Sequence, residues 1–244
     1  MVTEEQGINR MLTTARLISY SQPQEGELYV GDNLQELVAY CARVSNPSNQ
    51  ATHKTSEKLI RYLCKHKHWS PLEMVSVCLE VETTRDIAHQ IVRHRSFSFQ
   101  EFSQRYAEPS AMGNEMVIRE CRLQDTQNRQ NSIEIENDPS IQENAKMQDL
   151  ITEWGRRQHG IINQAKACYE WAIENGIAKE QARAVLPEGN TQTTLYVSCT
   201  LRSWIHYCQL RMDNGTQKEH MVIAKDCWDV LAVHFPNVMK AFEE

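Results

Sequence analysis

Apolar residues recur along this chain at two different spacings, and the points where one gives way to the other outline its elements. After Asp32, a candidate cap, Leu34, Leu37, Val38 and Cys41 fall at helical intervals up to Ala42, and Leu59, Ile60 and Leu63 mark a second helix from Ser56 to Lys65. The period then shortens to two. Val75, Val77, Leu79 and Val81 alternate with Ser76, Cys78, Glu80 and Glu82, the pattern of a half-buried strand. Helical spacing returns after Thr84, a second candidate cap, with Ile87, Ile91 and Val92 on one face. Residues 120 to 145 are rich in Gln, Asn, Asp and Glu without a sustained period, which predicts a solvated insertion. From Met147 a helical stripe of Leu150, Ile151, Trp154, Ile161, Ile162, Ala165, Cys168, Tyr169, Ala172 and Ile173 runs to a stop at Gly176, most simply as core. Thr193 to Ser198 reads as a strand, Leu201 to Arg211 as a helix burying Leu201, Trp204, Ile205 and Cys208, and Met221 to Phe235 as a final helix. With no internal repeat and no linker, the economical reading is one α+β domain over residues 1–244, an antiparallel or mixed sheet packed by helices.

Composition narrows this only at the edges. A 41% hydrophobic content is ordinary for a globule, and no apolar run approaches the ~18 residues of a membrane span. The start, MVTEEQGINR, is acidic and lacks the apolar stretch of a signal peptide, so a cytoplasmic location is expected. Eight cysteines are scattered at 41, 64, 78, 121, 168, 199, 208 and 227 with no C-x-x-C pair, which predicts reduced, mostly buried thiols. A net charge of −6 argues against a general nucleic-acid binder, although local arginines can still hold small anions.

Such arginines stand in the run RHRSFSFQEFSQRY, where Arg93-His94-Arg95 is followed after seven residues by Ser103. A helix C-terminus attracts positive charge, which accounts for one arginine or two. It does not account for Glu101, Ser103 and Arg105 at period two, which on an extended segment share a face opposite Phe102. Guanidinium forks, a hydroxyl and a carboxylate together suit a nucleotide. Cys64, His66 and His68 could suggest zinc, but the preceding helix and the missing fourth ligand favour a surface histidine cluster. Arg183 reads equally as a charge solvating a short helix or as a ligand. Arg202 and Arg211 stand about two and a half turns apart on one helix, so they point to nearly opposite sides.

The R-H-R-x7-S spacing resembles the signature of the flavin-dependent thymidylate synthases. Further segments resemble the family in order: Ala42-Arg43-Val44-Ser45, His68-Trp69-Ser70-Pro71-Leu72-Glu73, Ala182-Arg183-Ala184-Val185-Leu186-Pro187, and Leu201-Arg202 leading to Leu210-Arg211, spanning roughly residues 30 to 235. The resemblance implies FAD as cofactor, dUMP as substrate, and NADPH and methylenetetrahydrofolate as co-substrates, in a homotetramer with active sites shared between subunits. It assigns Ser70, Arg93, His94, Arg95, Glu101, Thr200, Leu201, Arg202 and His206 to the flavin. It assigns Gln90, Ile91, Val92, Arg93, Glu101, Phe102, Ser103, Gln104, Arg105, Arg183 and Arg211 to dUMP, and no residue to a metal. Pro71 is expected to set an extended lead-in to the strand, Glu73 to lie at the flavin or at a strand edge, and Trp69 to pack.

Methylation at C5 of uracil needs the ring to become nucleophilic there, and a guanidinium near N3 and its neighbouring carbonyl stabilises the charge that develops. Arg211 is the candidate for that catalytic role. No cysteine sits in a nucleophile motif and Ser103 has no assigned base, so Ser103 reads as a phosphate ligand. The chain departs from the family pattern at four places. Gln100 and Thr200 replace asparagines and keep hydrogen-bonding capacity, whereas Met74 and Gly215 stand where histidine is frequent, so an imidazole role there does not carry over. Two other readings stand beside this one: a nucleotide- or RNA-binding module using Arg93, Arg95 and Arg105 with Phe97, Phe99 and Phe102, and a family member that binds without turning over.

Overall fold

The computed structural model describes residues 13–22, 34–50, 52, 54–108, 116–136, 138–142 and 144–242. In chain order its elements are β1 (Thr14–Tyr20), α1 (Leu34–Ala42), α2 (Ser56–Lys65), β2 (Ser76–Thr84), α3 (Arg85–Ile91), β3 (Ser98–Glu101), β4 (Arg122–Gln124), β5 (Ser132–Glu134), α4 (Pro139–Gln142), α5 (Ala145–Glu174), α6 (Lys179–Ala182), β6 (Gln192–Thr200), α7 (Leu201–Arg211), α8 (Lys218–His234) and α9 (Pro236–Lys240). Asp32 lies outside the described residues.

An antiparallel four-stranded sheet, ordered β1-β2-β6-β3, forms the centre, so the chain is α+β as its patterning predicts. Strands β2 and β6 pair without interruption from Ser76↔Thr200 to Thr84↔Gln192, which sets Val77 against Cys199, Leu79 against Val197 and Val81 against Leu195. These residues are all buried, and with Trp204, Ile205, Ile223, Leu231, Ile60 and Leu63 they form one core beneath α1, α2, α7, α8 and α9. A smaller cluster of Tyr169, Ala172, Ala182 and Leu186 ties α5 to α6. At Gly176, with φ +75°, the N–H groups of Gly176 and Ile177 close back on Ile173 and Ala172 and end α5 where the sequence predicts.

Several expectations are corrected. Glu80, placed by alternation on the wet side, is 7% exposed, because Arg16 of β1 reaches it at 2.7 Å and holds its carboxyl below the usual range. Thr84 has the extended backbone of a cap, yet its hydroxyl donates to Asp86 Oδ1 at 2.5 Å instead of accepting a helix N–H. Val92 follows the last turn of α3 and is exposed. Pro71 is the second residue of a 3-10 turn, Ser70–Glu73, since its fixed φ suits the first turn of a helix as well as an extended segment. Within 120–145 the chain forms the β4-β5 hairpin and buries Cys121 and Ile135. The last long helix starts at Lys218, ahead of Met221. Helix α5 is core along one line only: Gln158, Ile162, Ala165, Tyr169 and Ala172 are buried, while Leu150, Trp154, Ile161 and Cys168 are exposed one ridge over.

Candidate functional site

The RHR segment leaves α3 as a tight loop. His94 N–H bonds to Ile91 O at 3.0 Å and Phe97 N–H to His94 O at 3.2 Å, so the chain reverses before β3. Phe97 is driven into the core, its ring 4.9 Å from Trp204 and 5.4 Å from Tyr207. This anchor turns His94 inward and leaves Arg93 and Arg95 exposed on either side of it. Neither arginine forms an ion pair among the described residues, and Arg183 forms none either. Three guanidinium groups therefore keep their charge available.

Beneath the loop, Arg211 Nε donates to His94 Nε2 at 3.0 Å. Burial, reinforced by that guanidinium, pushes the His94 imidazole down to about 4, so it is a neutral acceptor at physiological pH. Arg211 thus has a fixed stem and unspent charge, with no carboxylate among the described residues to neutralise it. Next to this pair, Gln90 of α3 donates to Gln217 Oε1 at 2.8 Å, and its own Oε1 lies 3.2 Å from His220 Nδ1.

Glu101 closes β3, and Arg85 Nη1 and Thr193 Oγ1, each at 3.0 Å, hold its carboxylate. Glu101, Phe102 and Ser103 line a cavity of about 340 Å³ with Thr194 and Tyr196. Arg105 does not continue an extended face as the sequence predicts: residues 104–106 turn, with Tyr106 N–H bonded to Ser103 O, and Arg105 reaches Glu180 of α6 at 3.4 Å. The turn leaves Gln104 3% exposed with its Nε2 unpartnered, a buried donor awaiting an acceptor.

Of the remaining residues assigned to the flavin, Ser70, Thr200, Leu201 and Arg202 gather at the other end of α7, roughly 14 Å along the helix from Arg211, and His206 stands midway. Arg202 pairs with Glu73 in the 3-10 turn that begins at Ser70. His206 meets Trp69 edge-on at 4.9 Å, and Trp69 stacks on Phe242, so Trp69 packs as predicted. Thr200 spends its hydroxyl on capping α7, accepting from Ser203 N–H at 3.3 Å. The side chains of Ile91 and Leu201 lie in the core, which leaves only their backbone for a ligand. Among the described residues no hydrogen bond or ion pair joins this patch to the Glu101 cavity.

The donor set fits a flavin and an anionic nucleotide: unpaired Arg93, Arg95 and Arg183, the orphaned amide of Gln104 and the held carboxylate of Glu101 are groups that phosphate, base and sugar can satisfy. Other chemistries find less support. Cys64 is buried with its thiol pushed up to about 11, and His66 instead packs on Tyr62 at 4.3 Å. No group of three or more His, Cys, Asp or Glu among the described residues has metal-holding geometry. Phe97 is core and unavailable to stack a base, which removes one aromatic from the RNA-binding alternative. No helix among the described residues is long and apolar enough to cross a membrane.

Sequence reasoning missed several residues that shape this region. Arg119 ties Thr84 and Asp86, each at 2.5 Å, to Gly189 O at 2.7 Å and pairs with Glu219 at 3.3 Å, and Arg85, Thr193, Tyr207, Gln217 and His220 complete the supports. They come from separate segments and share no spacing. Arg119 alone left a hint, as a cation beside a polar stretch.

Comparison with known proteins gives a consistent result. Residues 28–237 match the family model described as thymidylate synthase complementing protein. A probable flavin-dependent thymidylate synthase of Paramecium bursaria Chlorella virus 1 is 44% identical over 231 residues, covering 94% of this chain and 99% of its own. A flavin-dependent thymidylate synthase of Synechocystis sp. is 42% identical over 232 residues, covering 93% and 98%. Among solved structures, a UMP/dUMP methylase PolB from Streptomyces cacaoi bound with 5-Br dUMP superposes with a TM-score of 0.73 at 25% identity, covering 96% of each chain.

Proposed function

Because this chain belongs to the flavin-dependent thymidylate synthase family, we propose that it methylates dUMP at C5 to give dTMP, as one domain working in a homotetramer with shared active sites. The observation that carries this reading is the division of labour in the RHR loop. His94 turns inward as a neutral acceptor for Arg211, while Arg93 and Arg95 stay outward and unpaired.

In this reading Ser70, Arg93, His94, Arg95, Glu101, Thr200, Arg202 and His206, with the backbone at Leu201, hold FAD. The flavin, when bound, carries reducing equivalents from NADPH to the carbon that methylenetetrahydrofolate delivers. Arg93, Arg105 and Arg183 fork onto dUMP, and Ser103 and Gln104 donate to it, with Gln90, Glu101, Phe102 and the Ile91-Val92 backbone beside them. Arg211 does the electronic work. With Nε committed to His94, its terminal nitrogens face N3 and the adjacent carbonyl and stabilise the charge that makes C5 nucleophilic. This activation needs no enzyme thiolate, consistent with burial pushing the thiols of Cys199, Cys208 and Cys227 far up. The tetramer reading is supported by the exposed apolar ridge of α5.

The test is optical. Purified protein should be yellow or bind added FAD stoichiometrically, and anaerobic NADPH should bleach it faster with dUMP present. Colourless protein that cannot be reconstituted would sink the proposal.

A further inference from the structure

His220 is wholly buried, yet the reaction as described leaves it without a task. Its ring lies between a phenol and a carboxamide, Nε2 standing 3.1 Å from Tyr207 Oη and Nδ1 3.2 Å from Gln90 Oε1. Burial first, then Arg211 and His94, push this imidazole down to about 3, so it is neutral and has one donor nitrogen and one acceptor nitrogen.

Two proton arrangements satisfy the ring itself. If Nε2–H donated to Tyr207, the phenol proton would need another acceptor, but Tyr207 is 2% exposed and its hydroxyl has no second hydrogen bond among the described residues. A buried O–H left unpaired carries the full cost of its desolvation. If Tyr207 instead donates to Nε2, then Nδ1–H donates to Gln90 Oε1, and the phenol and both ring nitrogens are satisfied. The second arrangement prevails, and it orients the carboxamide with oxygen toward His220 and nitrogen toward Gln217. One N–H of Gln90 remains, without an acceptor among the described residues.

We propose that His220 and Tyr207 are positioning residues for the nucleotide, locking Gln90 so that it presents a hydrogen-bond donor, and not an acceptor, to an oxygen of the pyrimidine nucleotide. This rests on the reading of Gln90 as a dUMP ligand. A free glutamine can rotate by half a turn and offer either end, whereas a locked one discriminates. Uracil's C4 carbonyl accepts where cytosine's amino group donates, and a phosphate oxygen accepts in both nucleotides.

The test uses FAD-loaded protein with Tyr207→Phe, which keeps the ring and removes only the hydroxyl. Nitrogen-15 NMR of the wild type should show the His220 proton on Nδ1, and the variant should show a mixture of tautomers. Calorimetry should show dUMP binding weakened about five-fold or more, with turnover at saturating dUMP and flavin content retained. If the oxygen is O4 of the base, dUMP weakens while dCMP does not. If it is O2 or a sugar oxygen, dUMP, dCMP and deoxyuridine all weaken. If it belongs to the phosphate, dUMP and dCMP weaken equally while deoxyuridine binding is unchanged. Each pattern supports the lock and identifies its target. A proton on Nε2 in the wild type, or wild-type dUMP affinity in Tyr207→Phe alongside weakened binding in Gln90→Ala, overturns the lock while leaving Gln90 a ligand. Unchanged dUMP affinity in Gln90→Ala overturns both.

Discussion

Half-buried Arg211 meets an imidazole where an arginine usually meets a carboxylate, and that choice of partner preserves its charge for a substrate. Its role and that of Ser103 separate in kinetics. Arg211→Ala should lower single-turnover dTMP formation on the order of 10² or more at saturating dUMP, with Arg211→Lys restoring part, because lysine keeps the charge but not the planar fork. Ser103→Ala should raise the dUMP requirement and keep turnover, as expected for a ground-state contact. Full turnover in Arg211→Ala, or a covalent nucleotide on Ser103 by mass spectrometry, would reverse these roles. Half-buried His94 and buried His220 also predict a pH response. His94 and His220 are pushed from 6.5 to about 4 and about 3. Between those values and 6.5 the unfolded chain binds the protons and the folded chain does not, so stability falls as the solution is acidified below 6.5. Calorimetric melting temperatures should drop through this range, and less steeply in His94→Gln and His220→Gln. An equally steep drop in both variants would assign the loss to other groups. Of the pair, only His94 was legible from the sequence, because it sits inside a motif. His220 carries no local pattern and gains its meaning only when α8 packs against α3 and α7.

Elements with a continuous apolar stripe were read to the residue: α2 and α7 begin and end where the spacing predicts, since a stripe that must face a core also fixes where it stops. Short strands were not. Strands β4 and β5 have three residues each, too few to show a period, and the hairpin is held beside α8 by Arg122 with Glu219 and by Lys218 with Glu120 and Glu134. Arg105 was misplaced for a related reason: period two survives in the letters after Glu101, but pairing to β6 ends there and a turn takes over. Helix α5 shows the opposite case, a correct helix whose apolar surface is wider than its own chain covers. Ile161, 55% exposed on that ridge, is a direct probe. Ile161→Glu should lower the mass measured by light scattering while the far-ultraviolet dichroism stays native. A wild-type mass would remove this ridge from the assembly interface.

At the scale of the whole molecule, the α+β class was legible because the period changes between segments, while the strand order was not, because it depends on which distant segments meet. Strand β1 went unread, although its pairing with β2 extends the sheet and supplies Arg16 to Glu80. The net charge of −6 and the outward arginines are reconciled by locality: the anion-holding groups sit on one loop and a few neighbours. The uninterrupted β2-β6 ladder has one further consequence, for how the chain reaches this state. Its partners are residues 76–84 and 192–200, so the middle of the sheet cannot close until most of the chain has been synthesised. Native contacts of such high order slow the search for the folded state and leave the apolar edge of β2 uncovered meanwhile. A fragment ending at residue 190 should therefore yield no protease-resistant core, whereas full-length protein refolded from denaturant should regain its core over roughly milliseconds to seconds or longer. A stable, resistant fragment of that length would mean that the N-terminal part folds before its sheet partner arrives.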